Sequence, residues 1–238
     1  MTSSKKFDKF ILSVSLCLIG MAPAARAQSS EDALLQDLKN RATRIIDTTM
    51  KTLGDRTAEF NSHMADMNEA RPLEVKNLDS ANIAQNISRT LQFIQYLKDY
   101  RAVDDGISLA LEDSLEALRQ ETPTGAEEKA FDAVGESYAA DHKGWNKYIG
   151  TLSELYSGVL DALIFLQSAP HTIAKDKLEF KTAKEAATYN KLMKPIDAAV
   201  RESKKAFEES KKATEWANQK ITELNGTSST TPKKKKKK

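Results

Sequence analysis

The feature that most limits what this chain can become is an apolar row repeating at alternating steps of three and four. Phe131, Val134, Tyr138, Asp141, Trp145, Tyr148, Leu152, Leu155, Val159, Ala162 and Leu166 keep that spacing without a slip, and only Asp141 among them is charged. Such a step marks one face of an α-helix turned toward partners. The same rhythm runs earlier through Leu35, Leu38, Ala42 and Ile45, and from Ile46 through Met50, Leu53, Thr57, Phe60, Met64 and Met67. It recurs in Ala84, Ile87, Leu91, Ile94 and Leu97, resumes at Ile107, Leu111, Leu115 and Leu118, and returns from Tyr189 through Ile196, Phe207 and Ala217 to Leu224.

Four helical stretches follow, at about 30–69, 79–121, 126–167 and 182–224. Between them stand Arg71-Pro72, Thr122-Pro123-Thr124-Gly125 and Ser168-Ala169-Pro170-His171. Each break holds a proline, and the residue before a proline avoids helical geometry. Gly106 is expected to loosen the second helix, and Pro195 to kink or break the fourth. Residues 172–181, with Ile173, Leu178 and Phe180, read as a packed connection, and no alternating strand pattern stands out. Helices of similar length joined by short turns predict an all-α fold. Its form is an elongated antiparallel up-down-up-down four-helix bundle over residues 28–224.

The two ends read differently. Lys5, Lys6 and Lys9 precede an apolar stretch from Phe10 to Met21, and Ala25-Arg26-Ala27 supplies small residues before Gln28. Basic, apolar and small-residue regions in that order predict a signal peptide over residues 1–27, cleaved between Ala27 and Gln28. The chain is then periplasmic or secreted, with no transmembrane helix in its mature form. The single Cys17 lies within the signal, so the mature chain has no thiol for disulfides or thiolate metal sites.

Charge is segregated. The whole chain carries 36 Lys and Arg against 34 Asp and Glu. Residues 28–232 alone hold 26 bases and 33 acids, a formal net of −7, and the sequence then closes on Lys233, Lys234, Lys235, Lys236, Lys237 and Lys238. Residues 225–238 offer nothing apolar to dock and read as a disordered tail. Six adjacent ammonium groups attract anionic lipid headgroups or acidic polysaccharide. The tail is therefore expected to be the anionic-surface binding element.

Catalytic and phosphate-binding signatures are missing: no Gly-rich phosphate loop, GxSxG elbow, HExxH pair or EF-hand loop occurs. The expected protein is not an enzyme and carries no cofactor. His63, Met64 and Met67, with Met50, are the candidates for a soft metal such as copper, although methionine on a helical seam is ordinarily a gap-filler. Asp141 beside Trp145 is a candidate polar core or ligand position, because a carboxylate on a buried seam needs a partner. His171, in its proline-containing loop, is expected to be exposed. Phe93, Tyr96, Tyr100, Tyr138, Trp145 and Tyr148 form an aromatic set fit for a core or a ligand cavity. Asn86-Ile87-Ser88 and Asn225-Gly226-Thr227 match glycan acceptor sequences.

No motif is specific enough to carry a family. The expected function is binding or scaffolding at the cell envelope, with the polylysine tail as a tether to an anionic surface. Two alternatives belong to other classes. One is a bundle carrying a small ligand or copper. The other is a helical chaperone or adaptor gripping partner proteins through the apolar end near Leu160 to Leu166.

Overall fold

A computed structural model describes residues 30–121 and 126–227. They form α1 (Ser30–Ala70), a 3-10 turn (Val75–Asn77), α2 (Ser80–Glu121), α3 (Ala126–Ser168), β1 (His171–Ala174), β2 (Lys177–Phe180) and α4 (Ala183–Thr227). The fold is mostly helical, and its four helices pack against each other as an all-α bundle. The expected signal peptide lies outside the described residues. So do Lys233 to Lys238.

Within the span read from sequence as one bundle domain, the described chain divides into two compact units. The first takes residues up to Thr57, Asp105–Lys143 and the chain from Lys211, and the second takes Ala58–Asp104 and Gly144–Ser210. In the first unit, Leu38, Ile46 and Met50 of α1 pack with Leu111 and Leu118 of α2, Val134 and Tyr138 of α3 and Ala217 of α4. Outside this core, Arg41 donates to both carboxylate oxygens of Glu121 at 2.6 and 2.8 Å. That pairing raises the Arg41 pKa and lowers that of Glu121, chiefly through the hydrogen bonds.

The second unit holds two clusters. Phe60 and Met67 of α1 meet Phe93, Leu97 and Tyr100 of α2 and Ile149, Leu152 and Tyr156 of α3. Farther along, Leu78 and Ile83 meet Val159, Leu163 and Leu166 of α3 and Ile196 of α4. The apolar end near Leu160 to Leu166 is thus largely core: Ala162, Leu163 and Leu166 are buried, while Ile164 is 49% exposed. By length and composition the stretch Phe131–Ser168 could also cross a membrane.

Several sequence expectations need correction. Residues 171–180 are an antiparallel hairpin rather than a plain connection, with His171 opposite Phe180 and Ile173 opposite Leu178. Its turn residues Lys175 and Asp176 adopt φ of 49° and 59°, the backbone a tight two-residue hairpin requires. Leu178 and Phe180 pack on the second unit's core. Lys177 and Glu179, which alternate with them, are exposed, so a period of two was present over too few residues to stand out. His171 is not simply exposed. Its Nδ1 lies 2.8 Å from the Ala169 carbonyl oxygen and its Nε2 2.9 Å from that of Leu78.

At Pro195, where a kink or a break was expected, α4 does not break: it runs through and continues to Thr227, three residues into the expected tail. Likewise α2 runs through Gly106. The inward row of α2 also differs from the apolar one. Ile83, Asn86, Thr90, Phe93, Leu97, Tyr100, Asp104, Ser108, Leu111, Leu115 and Leu118 are buried, whereas Leu91 is 50% exposed. Four polar side chains occupy three-four positions on that row, which is why an apolar reading drifted to the neighbouring residues.

One close approach fixes how α3 meets α4. A Cβ at Gly158 would stand 3.0 Å from Cγ1 of Ile196, whereas one at Gly150 in the same helix meets nothing within 4 Å. Replacing glycine by alanine inside a helix normally stabilises by roughly 0.5–1 kcal/mol. Gly150→Ala is expected to show that gain in urea melts, and Gly158→Ala to lose it because Ile196 must shift.

Candidate ligand-binding cleft

The end of α1 and the start of α2 are held together by side-chain amides. Arg71 takes a positive φ of 41°, a conformation that commonly ends helices. The Asn77 side chain donates to the carbonyls of Ala70 and Arg71, both at 3.1 Å. Asn86, 3% exposed, donates from α2 to the carbonyls of Pro72 and Asn77 at 3.3 Å. Its amide therefore staples the connection and is not presented as a glycan acceptor in the folded chain. The side chain of Asn225 lies outside those described. Asp79 caps α2, accepting from the Ala81 and Asn82 backbone N–H groups at 3.1 and 3.0 Å. The Asn82 N–H is the leading cause that holds its carboxyl below the usual range.

Above this connection lies an open cleft of about 740 Å³ within the second unit. Helix α1 contributes His63, Asp66 and Glu69, the connection Lys76 and Asn77, and α2 Arg89, Gln92 and Tyr96, while Met67 and Phe93 line its apolar part. The His63 ring rests against Tyr96, with centroids 4.0 Å apart and planes 33° apart. Lys76 pairs with Glu74 at 3.3 Å. Among the described residues, Asp66, Glu69 and Arg89 have no opposite charge within 4.0 Å. The cleft thus offers acids, a guanidinium and an aromatic surface at once. That combination suits a small amphoteric molecule, and the volume falls in the range of ordinary ligand sites.

No family model, curated protein or solved structure matches this chain.

Of the metal candidates, His63 and Met67 line this cleft. Met64 packs against the aromatic cluster of the same unit. Met50 is 2% exposed and belongs to the first unit's core. Among the described residues, no group of three or more His, Cys, Asp or Glu side chains is placed to hold a metal ion. Tyr96 belongs to the aromatic set read from sequence as fit for a core or a ligand cavity, whereas Arg89 and Gln92 become cleft residues only when α2 is placed beside α1.

The other candidate pair is divided, with Asp141 in the first unit and Trp145 in the second. The half-buried Asp141 carboxylate accepts a hydrogen bond from Thr214 of α4. A carboxylate on an interior row requires such a partner. Next to it, His142 lies 3.4 Å from Asp105 and stacks on Tyr138 with planes 8° apart. In the second unit, Trp145 donates from its indole nitrogen to the Tyr100 hydroxyl at 3.2 Å. Its ring meets Phe60 edge-on at 5.2 Å. The aromatic set is thereby packed in the cores, Tyr138 in the first unit and the others in the second, where Phe93 and Tyr96 also line the cleft.

Proposed function

We propose that this chain is an exported, non-enzymatic binding and scaffolding protein of the cell envelope, periplasmic or secreted, tethered to anionic surfaces by Lys233 to Lys238. The observation that carries this reading is the charge segregation: 26 bases against 33 acids over residues 28–232, followed by six consecutive lysines. An acidic body is repelled by an anionic surface, so the cationic end selects which part of the chain meets it. Export rests on the basic, apolar and small-residue order of residues 1–27, with cleavage after Ala27. An antiparallel up-down-up-down course for the helices is supported by their similar lengths and by the proline-bearing connections at Pro72 and Pro170. The partner is a lipid headgroup or acidic polysaccharide layer, met by long-range attraction that salt screens.

Sedimentation of residues 28–238 with phosphatidylglycerol-containing vesicles tests the tether. Replacing Lys233 to Lys238 by Gln is expected to weaken binding at low salt by two orders of magnitude or more, since each lysine at such a surface is worth up to about 1 kcal/mol. Equal binding by both chains would overturn it.

The cleft favours a second reading, a small-ligand carrier at the same location. An amphoteric ligand would place its amine by Asp66 and Glu69 and its acid by Arg89. Titration with zwitterionic amino acids and short peptides, read by tyrosine and tryptophan fluorescence, distinguishes the two readings.

A further inference from the structure

The cleft of the second unit holds one charge too many for a simple zwitterion. Asp66, Glu69 and Arg89 line it, and all three are exposed. None of them forms an ion pair among the described residues. Lys76, also on its wall, is taken up by Glu74 at 3.3 Å, and Glu74 holds Arg71 at 3.6 Å as well. Two carboxylates and one guanidinium therefore stand open to a ligand. One carboxylate is left over once an amine and an acid have been matched.

Contacts between α1 and α2 set the levels of these groups. Far from the connection His63 lies against Tyr96, and at the connection the Asn86 amide reaches the Pro72 carbonyl. Tyr96 stands seven residues beyond Arg89 on α2, about 10.5 Å along the axis at 1.5 Å per residue. On α1, Asp66 and Glu69 follow His63 by three and six residues, about 4.5 and 9 Å nearer the connection. Glu69 thus falls within about 2 Å of the level of Arg89, on the facing helix, and Asp66 lies about 6 Å farther along. Met67 and Phe93, both buried, line the apolar part of the cleft.

We propose that this cleft takes a free amino acid with a basic side chain. Its α-carboxylate meets Arg89, whose guanidinium suits bidentate pairing, and its α-amine meets Glu69 at the same level. Lys76, on the connection, adds positive charge at the carboxylate end. The side chain runs over Met67 and Phe93, and its cation reaches Asp66, since five single bonds in an extended zigzag cover about 6 Å. A guanidinium tip has a further place against the Tyr96 ring. A neutral amino acid leaves Asp66 unmatched, an acidic one sets a second carboxylate against it, and a diamine leaves Arg89 without an anion. The proposal rests on the small-ligand reading of the cleft and adds the ligand class to it.

The test is calorimetric titration of residues 28–238 with lysine, arginine, leucine, glutamate and cadaverine. Lysine and arginine are expected to bind at least about tenfold more tightly than leucine, because the pairing at Asp66 is charge-assisted. Asp66→Asn should remove that preference, bringing lysine within about threefold of leucine while the affinity for leucine itself holds. Arg89→Gln should weaken lysine and leucine by the same factor, because both present an α-carboxylate. Asp66 and Arg89 are exposed, so the thermal midpoints of both variants should stay at that of the parent.

Leucine or glutamate binding as tightly as lysine would overturn the ligand class and leave the carrier reading standing. So would cadaverine binding as tightly as lysine, or a preference for lysine that survives Asp66→Asn. The carrier reading fails by a different observation, namely that neither these molecules nor short peptides bind, and that result overturns both.

Discussion

Phe60→Ala is expected to be the most damaging single change in the second unit, lowering unfolding free energy by about 3–5 kcal/mol. Phe60 is 2% exposed, and its ring lies 5.3 Å from Tyr100, 5.2 Å from Trp145 and 6.3 Å from Tyr148. Truncation removes the transfer free energy of a buried phenyl group. It also leaves a void that three large rings cannot easily close. The ring contacts carry an electrostatic part beyond area, of order 0.5–1.5 kcal/mol per pair. Urea unfolding followed by Trp145 fluorescence reads the loss directly. Leu91→Ala is the companion measurement. Leu91 was expected on the inner row and is 50% exposed, so its truncation should change stability by no more than about 0.5 kcal/mol. If the two changes cost the same, the inward face of α2 has been misplaced.

That contrast also marks how far the sequence could be read. The rows of α1 and α3 were legible because apolar residues fill nearly every inward position, from Leu38 to Met67 and from Phe131 to Leu166. Asp141 was legible as an anomaly, and its answer, Thr214, lies 73 residues away in sequence. On α2 the inner positions at Asn86, Thr90, Asp104 and Ser108 are polar, so the hydrophobic signal moved one residue aside. Asn86 is inside because its amide closes the α1–α2 connection, a demand that no periodicity records. The hairpin escaped notice because two four-residue strands show their period of two only through Leu178 and Phe180. His63 and Met67 could be named in advance as a pair. Their cleft could not, since Arg89 and Gln92 come from another helix and Tyr96 was legible only as one of an aromatic set.

Pro195→Ala is expected to stabilise the chain by about 2 kcal/mol. A proline inside a helix lacks the N–H that would donate to the Lys191 carbonyl, and its ring crowds that oxygen. The penalty against alanine is about 3 kcal/mol. Part is offset because proline also restricts the unfolded chain, by roughly 0.4–1 kcal/mol. Pro195 is exposed, so alanine gives up little packing there. The following residue sets the opposing effect: Ile196 is 5% exposed and lies against the bare face of Gly158. If the backbone around Pro195 is what seats Ile196 there, restoring the hydrogen bond would disturb that seat and shrink the gain. Thermal melts of Pro195→Ala, Gly158→Ala and the double variant separate the two. Additive changes mean the proline acts only on its own helix. A double variant more than about 0.5 kcal/mol from the sum means that Pro195 and Gly158 act as one device. In that case Pro195 is retained for how it sets α4 against α3, at the expense of helical stability.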